Sequence, residues 1–474
     1  MYVDHVVIGA GPSGLACALR LSLAGFKIAL IEKHTKVGGL NSYYARPMEY
    51  NGEKVRLELD VGLHAITNFS QPENRSARLN KLFKSLRINR SDLELCEQNF
   101  SWIRLGSKKL VFTNNIADLT RSIGEQYPDQ VNGWDNFLNF INDYNEFDPQ
   151  QVSYLSAKLE LQKFFKNNEF INHLLFPVLT YGSPWEDDMD FNLFICIFRS
   201  MFLEGLCRPK GGIRAWWNAI VKNCELNQVQ MLMAESVTSI EQMANGQLQV
   251  KTSKQEIVCN NVFSSMGLIE TQNLLQESKG YSSYTSTLGF IELMVVFDTD
   301  LSQLSELPTL YFSCVNTNEY YQATKKNINT KMAIYCIPSR YQGEQHHCAG
   351  MVRMTCMTNP TLWFEYSSTD YKEQKQVVLQ SMLEQMYLEF PILKDKKILL
   401  TDIFTPKTIH KYTWHNNGSL YGANLKVKNG QSTMDHVYYI GTDQGYPGIT
   451  GSMLSGIAMA NIHGIMKYKI HQTT

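Results

Sequence analysis

The sequence lacks the features of several protein classes. No apolar run among the 474 residues reaches the roughly eighteen that a membrane-spanning helix requires. Basic and acidic residues nearly balance, at 44 and 45, so the formal charge of -1 gives no electrostatic attraction for nucleic acid as a partner. The first predicted strand begins so early that no room is left for a cleavable signal. We therefore expect a cytoplasmic protein that does not bind nucleic acid.

Metal and hydrolase signatures are missing as well. The ten cysteines are scattered without a Cys-x-x-Cys pair, which favours small buried apolar residues over a disulfide framework. His346, His347 and Cys348 are adjacent, but no second cluster has the spacing of zinc ligands, so we expect no metal. No local motif joins a nucleophile, a base and an acid. A second GxGxxG motif is also absent, which argues against two tightly held dinucleotides.

The stretch 3–33 has the pattern of a dinucleotide-binding βαβ unit. An apolar run at 6–8 is typical of a buried parallel strand, and the glycines after it allow a pyrophosphate to approach the backbone. A helix is predicted from about 13 to 24, so its free N–H groups point toward the phosphates. The candidate contacts here are Gly9, Gly11, Pro12, Ser13 and Gly14.

An acidic residue completes this pattern. The second strand delivers Glu32, followed by Lys33, about twenty residues past the glycine turn, where a carboxylate can accept hydrogen bonds from an adenosine ribose. The combination predicts a bound dinucleotide; the alternative is a fold retained after loss of the cofactor. The motif alone does not distinguish FAD from NAD(P).

Further glycines follow at 38–39 and 62. Paired glycines in a loop would let the backbone lie against a flat or phosphorylated ligand, with a plain turn as the alternative. The candidate contacts of this loop are Gly38, Gly39, Leu40 and Asn41. The order GxGxxG, Glu-Lys, double glycine resembles the N-terminal region of the FAD-dependent oxidoreductases that include amine oxidases and carotenoid desaturases. There a segment similar to 58–64 passes close to the flavin, which implies roles for Gly62 and His64, although a loop-capping histidine is an equally good interpretation.

Two later segments extend the resemblance. The Pro-x-Gly-Gly loop at 209–212 resembles one that starts a helix in the same superfamily, before a strand whose valine offers its backbone to the adenine; this implies Val237. Residues 405–408 and 418–422 resemble the Thr-Pro-x-Thr … Gly-x-x-Tyr-Gly signature of the phytoene desaturase, carotenoid isomerase and retinol saturase family. The amine oxidases lack that signature.

The C-terminal segment 441–452 is similar to the flavin-closing motif of this family. A strand ends there and a helix begins, so the helix N-terminus can hold negative charge on a reduced flavin. The implied contacts are Gly441, Asp443, Gly448, Ile449 and Thr450. The match departs from typical carotenoid desaturases in a slightly shorter loop and in the offset of Asp443.

These segments predict an α/β fold. A Rossmann-type, GR2-like FAD-binding domain would be assembled from residues 1–70, 205–270 and 400–474, and an interleaved α+β substrate domain from 71–204 and 271–399. We expect 176–184 to interrupt a series of helices. The apolar stripe at 191–206 is expected to be core, with an apolar substrate tunnel or contact with a membrane surface as alternatives.

The resemblance implies an FAD-dependent oxidoreductase of desaturase, saturase or isomerase type. Hydride would move to or from flavin N5 on an apolar conjugated substrate such as a polyene or retinoid, with His64, Tyr181 and Tyr446 facing that substrate. O2 or a quinone would be the electron acceptor, and peripheral membrane contact is compatible with such a substrate. Two alternatives stay open: oxidation of a C–N bond in an amine or small natural-product intermediate, and non-enzymatic binding of an isoprenoid or prenylated protein, as in GDP-dissociation inhibitors.

Overall fold

The computed structural model describes residues 1–50, 52–146, 154–277, 280–317, 320–343 and 349–466. In this part of the chain the strands are β1 (His5–Ile8), β2 (Ile28–Glu32), β3 (Tyr43–Tyr50), β4 (Glu53–Asp60), β5 (Ile66–Thr67), β6 (Leu95–Glu97), β7 (Ser101–Leu105), β8 (Lys108–Phe112), β9 (Leu206–Pro209), β10 (Gln230–Met233), β11 (Val237–Gln242), β12 (Leu248–Thr252), β13 (Glu256–Cys259), β14 (Asn261–Ser264), β15 (Gly289–Phe297), β16 (Leu310–Cys314), β17 (Asn329–Cys336), β18 (Met351–Thr358), β19 (Ile398–Phe404) and β20 (Val437–Tyr439). The helices are α1 (Pro12–Ser22), α2 (Arg78–Ser85), α3 (Ile116–Gln126), α4 (Val131–Asp143), α5 (Ala157–Leu161), α6 (Asn168–Gly182), α7 (Phe191–Phe198), α8 (Ile213–Leu226), α9 (Leu268–Leu274), α10 (Pro360–Glu365), α11 (Ser368–Glu389), α12 (Pro406–Thr413) and α13 (Gly448–Met459).

A five-stranded parallel sheet carries the glycine motif. Its strand order is β10-β2-β1-β14-β20, so strands from distant parts of the sequence end at one edge. β1 and β2 are buried along their whole length and are apolar except for His5 at the start of β1 and Glu32 at the end of β2, as expected for a parallel sheet covered by helices. The predicted βαβ unit is present. Its helix, α1, starts at Pro12 and ends at Ser22, slightly earlier than the periodicity indicated.

A second, mainly antiparallel sheet has seven strands. Its order is β19-β15-β18-β17-β16-β7-β8, and all neighbours are antiparallel except β16 and β7. Side chains alternate between two cores: on β16, Leu310 and Phe312 face the helical region, whereas Tyr311 packs in the core that includes α11. β19 pairs in this sheet although it crosses position 400, where the expected cofactor segment begins.

The helical region differs from expectation at one proline. α6 continues through Pro177 to Gly182, so the expectation that 176–184 interrupts the helices is wrong for 176–182. A proline in a helix removes one backbone hydrogen bond, but nearly every residue of this part of α6 is buried, and packing offsets the loss. The apolar stripe that starts at Phe191 is core, as expected, and α7 leads into a π-helical segment, Arg199–Glu204.

The described part of the chain shows neither a membrane-spanning helix nor a metal-ligand cluster. Within the described ranges, no helix combines the length and apolar character needed to cross a bilayer. The same residues contain no cluster of three or more metal-ligating side chains. His346, His347 and Cys348 lie outside the described residues.

Candidate functional site

Two cavities adjoin at the carboxyl edge of the parallel sheet. The first, which we call the cleft, has a volume of about 150 Å³, and the second, the inner cavity, about 700 Å³. The residues that line both are Glu32, Gly39, Leu40, Asn41, Tyr412, Thr413, Thr442 and Ser452. An elongated ligand can therefore extend from one cavity into the other.

The glycine turn forms one wall of the cleft and is tightly packed. A Cβ on Gly14 would lie 1.8 Å from the carbonyl oxygen of Gly9, which no relaxation of a side chain can accommodate. A Cβ on Gly11 would meet nothing within 4 Å, and Gly11 lines the cleft. No side chain caps the N-terminus of α1, so its first N–H groups are available to an anionic ligand.

The carboxylate of Glu32 is fixed by the backbone around it. Glu32 Oε2 accepts a hydrogen bond from the Ala10 N–H at 2.7 Å, and Oε1 accepts one from the His34 N–H at 2.9 Å. Each carboxylate oxygen keeps further acceptor capacity, which suits ribose hydroxyls. Next along the chain, burial lowers the pKa of Lys33 to about 8, although Glu32 opposes the shift.

The sequence-predicted contacts separate into three groups. Those that line the cleft are Gly9, Gly11, Pro12, Ser13, Glu32, Lys33, Gly39, Leu40, Asn41, Val237 and Asp443. Those that line only the inner cavity are Gly62, His64, Tyr181, Gly448 and Ile449. The third group lines neither cavity and packs behind the cavity walls: Gly14, Gly38, Gly441 and Thr450. The Gly38 N–H, for example, donates to the Ala10 carbonyl at 2.8 Å.

Asp443 lines the cleft, yet protein donors already engage its carboxylate. Oδ2 accepts from the Leu268 N–H at 2.6 Å, and Oδ1 accepts from the Ala423 N–H at 2.8 Å and from Lys426 Nζ at 3.0 Å. The preceding residue, Thr442, lies where the two cavities join. The offset seen in the sequence therefore leaves a hydroxyl, not a carboxylate, at the junction.

The wall of the inner cavity is largely apolar. Its aliphatic and phenylalanine side chains include Met201, Leu206, Phe290, Leu310, Phe312, Ile334 and Leu420. Tyr181 adds a hydroxyl, which lies 3.1 Å from Thr67 Oγ1, and burial raises its pKa to about 12, so the group stays protonated at neutral pH.

A polar cluster around His64 interrupts the apolar wall. His64 Nε2 lies 3.3 Å from both Glu292 Oε1 and Thr355 Oγ1, and Arg353 Nε donates to Glu292 Oε1 at 2.6 Å. Burial opposes the charge of Glu292, but Arg353 and His64 outweigh it and hold its pKa at about 2. Burial also lowers the pKa of His64, so the imidazole is neutral beside an ionised carboxylate at pH 7.

Sequence reasoning found His64 but missed its partners. Glu292 and Arg353 lie on β15 and β18, each the single charged residue of a buried, mainly apolar strand, and outside any motif. A charged residue in such a strand was the available signal, because buried charges are normally paired.

Tyr446 is placed differently from the other two candidates. It lines neither cavity. Burial raises its pKa to about 12, and the charged groups that act on it, Arg78 and Glu146, lie outside both cavity walls. We therefore do not place Tyr446 against the substrate.

Comparison with known proteins identifies the relatives of this arrangement. Residues 7–86 match the family of NAD(P)-binding Rossmann-like domains. A prolycopene isomerase from an Oncidium hybrid cultivar is 21% identical over 97% of this chain and 83% of its own length, and an all-trans-retinol 13,14-reductase from Danio rerio is 19% identical over 99% and 87%. The chain is a distant homologue of these enzymes. The predicted resemblance is confirmed.

A carotenoid desaturase gives a shorter match. The 4,4'-diapophytoene desaturase of a Methylomonas species is 43% identical over 47 residues, which is 10% of this chain and 8% of the desaturase. This higher identity is thus confined to a small part of that relative.

Solved structures confirm the predicted α/β fold. An oxidoreductase from Methanosarcina mazei has a TM-score of 0.63 at 15% identity, covering 97% of this chain and all of its own, and a putrescine oxidase variant has 0.61 at 13%, covering 100% and 99%. A Rab GDI from Plasmodium falciparum scores 0.53 at 13% identity, covering 97% and 98%. At these identities the likeness describes the fold alone.

Proposed function

We propose that this chain is an FAD-dependent oxidoreductase that acts on an apolar, conjugated small molecule. The observation that supports this most strongly is the continuity of the two cavities: a dinucleotide-binding cleft opens directly into a much larger space with an apolar wall. When bound, FAD would supply hydride chemistry at N5 of its ring. We further propose that the FAD-binding domain is discontinuous and that the substrate domain is interleaved with it, as expected from the sequence.

The residues of the cleft fit FAD. Gly39 faces the glycine turn so closely that a Cβ on it would lie 3.3 Å from Gly11 Cα. This second glycine segment extends the backbone wall from the turn to the inner cavity, which suits a dinucleotide that spans both. Glu32 would accept hydrogen bonds from the ribose. Val237 would offer its backbone on the same side of the cleft, two residues after Glu235, whose N–H donates to the Glu32 carbonyl at 2.9 Å.

The residues of the inner cavity would orient the substrate and exclude water. Phe290, Phe312 and Ile334 provide an apolar surface for a conjugated chain, and the protonated Tyr181 hydroxyl lies against the start of α13. The neutral His64, held beside Glu292, would contact the polar end of such a molecule. This arrangement requires no strong acid and base pair.

Two other functions are less favoured by the same geometry. An amine substrate would gain most from an unpaired carboxylate, but Glu292 is paired with Arg353, and Asp402 with Arg46. A non-enzymatic isoprenoid binder would not need the packed glycine turn and the oriented Glu32. O2 or a quinone as electron acceptor and peripheral contact with a membrane belong to the same proposal.

Anaerobic spectroscopy of the FAD-loaded protein tests the proposal. Polyenes, retinoids and amines would be added to the oxidised and to the reduced protein while flavin absorbance is followed. Bleaching of oxidised flavin, or its return in the reduced protein, with polyenes or retinoids is the expected result. A response to amines alone would contradict the substrate class, and a protein that takes up no FAD would contradict the cofactor.

A further inference from the structure

A short segment crosses the open side of the cleft. Residues 412–416, which we call the strap, are the end of α12 and the three residues after it, and every one of them lines the cleft. Trp414 has φ of +64°, so the chain turns sharply out of the helix there. The strap also faces solvent, because Tyr412 and Trp414 are 50% and 41% exposed. It therefore lies between the cleft and the surrounding water.

One end of the strap is attached to the residues that follow β2. Lys33 Nζ lies 4.1 Å from the centre of the Trp414 ring and donates a hydrogen bond to the Lys411 carbonyl at 3.4 Å. His34 Nε2 lies 2.9 Å from the Tyr412 carbonyl oxygen and donates to it. Lys33 and His34 come directly after Glu32. The strap is therefore joined to the side of the cleft, or bank, on which the Glu32 carboxylate lies.

The other end is attached beyond β14. The Asn416 N–H donates to Glu270 Oε1 at 2.7 Å, and Asn416 Nδ2 donates to Thr285 Oγ1 at 2.9 Å. Glu270 belongs to α9, which follows β14. Because β1 lies between β2 and β14 in the sheet, the strap spans the glycine turn from one bank to the other.

The Thr-Pro signature of the sequence builds this strap. Thr405 and Thr408 exchange hydrogen bonds through side chain and backbone and so fix the start of α12 at Pro406. Gly418 packs against that start: a Cβ there would lie 2.2 Å from the Pro406 carbonyl oxygen. The signature thus folds 405–418 into a closed unit whose tip is the strap, a role that substrate contact alone would not require.

We propose that the strap closes over the bound dinucleotide and sets the rate at which it leaves. The inference rests on the proposed function, because it takes FAD as the ligand of the cleft. A dinucleotide covered by 412–416 can leave only after contacts on at least one bank are broken. Closure by side-chain contacts, rather than by a rigid wall, also lets the cofactor enter a folded protein.

The release rate of FAD tests the strap directly. FAD-loaded protein is mixed with an excess of an inactive, FAD-requiring apoenzyme, and the activity that this apoenzyme gains as it captures released FAD is followed. Trp414→Asn removes the ring while keeping a residue that tolerates positive φ, and we expect release about tenfold faster, because a cation–π contact and the covering ring are lost. Trp414→Phe, which retains an aromatic ring, should give a smaller change. Tyr154→Asn, at an exposed ring that lines neither cavity, is the matched control and should release FAD like wild type.

Proteolysis of the wild-type protein gives a second, mutation-free readout. Lys411 is exposed in the last turn of α12. Because trypsin requires an extended backbone at the bond it cleaves, it cuts after Lys411 only when this turn unwinds and the strap opens. We expect FAD to slow the appearance of the fragment that ends at Lys411. If wild type binds FAD but Trp414→Asn releases it at the wild-type rate, or cleavage is unaffected by FAD, the strap is refuted and the proposed cofactor stands. If wild type binds no FAD, the proposed function and this inference fail together.

Discussion

The cleft and the inner cavity differ in whether backbone or side chains form their walls. One wall of the cleft consists of backbone: the glycine turn, the start of α1 and Gly39. The inner cavity is walled by side chains from α6 and from strands of the seven-stranded sheet. A backbone wall accepts few residue types at each position, whereas a wall of side chains can be refilled by many apolar combinations. Substitutions can therefore reshape the inner cavity while the backbone wall of the cleft stays the same.

The largest effect is expected from the ion pair beside the inner cavity. Arg353→Met leaves Glu292 as a buried charge without its main partner, and such a loss costs about 3–5 kcal/mol in the free energy of unfolding. Arg46→Met, at a half-exposed pair with Asp402, should cost less than about 1 kcal/mol. Denaturant titration of both variants measures the difference. Equal losses would mean that burial does not determine the contribution of these pairs.

Two glycine substitutions separate the packing of the cleft from its binding surface. Gly14→Ala forces a Cβ against the Gly9 carbonyl and should lower the free energy of unfolding by about 2–3 kcal/mol in the FAD-free protein. Gly11→Ala places its Cβ in open space, so stability should change by no more than about 0.5 kcal/mol. FAD binding, measured by quenching of flavin fluorescence, should nevertheless weaken about tenfold, which corresponds to about 1.4 kcal/mol. Similar stability losses in both variants would contradict this division.

Acidification should destabilise the folded chain through its buried histidines. Burial lowers the pKa of His5 and His173 to about 4 and lowers that of His64, from an ordinary value of 6.5. Below pH 6.5 the unfolded chain takes up protons that the folded chain does not, so stability is complete above that pH and falls as the pH drops toward 4. Each histidine contributes up to about 1.4 kcal/mol per pH unit in this window.

Chemical denaturation at pH 7, 6 and 5 measures this slope. His64→Asn removes the contribution of the inner cavity and should make the slope shallower, while the contributions of His5 and His173 persist. A slope that His64→Asn leaves unchanged would show that His64 titrates normally in the folded protein.

The smallest effect on stability is expected from filling the inner cavity. Ile334→Trp places a larger apolar side chain into open space, so FAD affinity should stay within about twofold of wild type while the response of the flavin to an apolar substrate is lost. Ile334→Val, which enlarges the cavity slightly, is the control and should keep that response. A loss of FAD binding in Ile334→Trp would show that the two cavities do not act separately.

The glycine wall of the cleft was predictable because its residues follow one another in a short, ordered motif. Gly9 to Glu32 form consecutive elements, and the parallel sheet brings their ends to one edge. The inner cavity was not predictable, because Phe290, Leu310 and Ile334 meet only through the pairing of strands that lie far apart in the sequence. Pro177 shows the same limit: burial of α6 overrides the local preference of proline. Asp443 was recognised, but the protein donors that engage it come from loops that no motif connects to it.

The flavin spectrum of the FAD-loaded wild type during titration with a polyene or retinoid tests the central claim most directly. If the cleft holds FAD and the inner cavity holds the substrate beside it, the flavin bands shift or bleach in a saturable manner, and Ile334→Trp abolishes the change. A wild-type protein that binds FAD in the cleft while its spectrum ignores every apolar ligand would contradict the account.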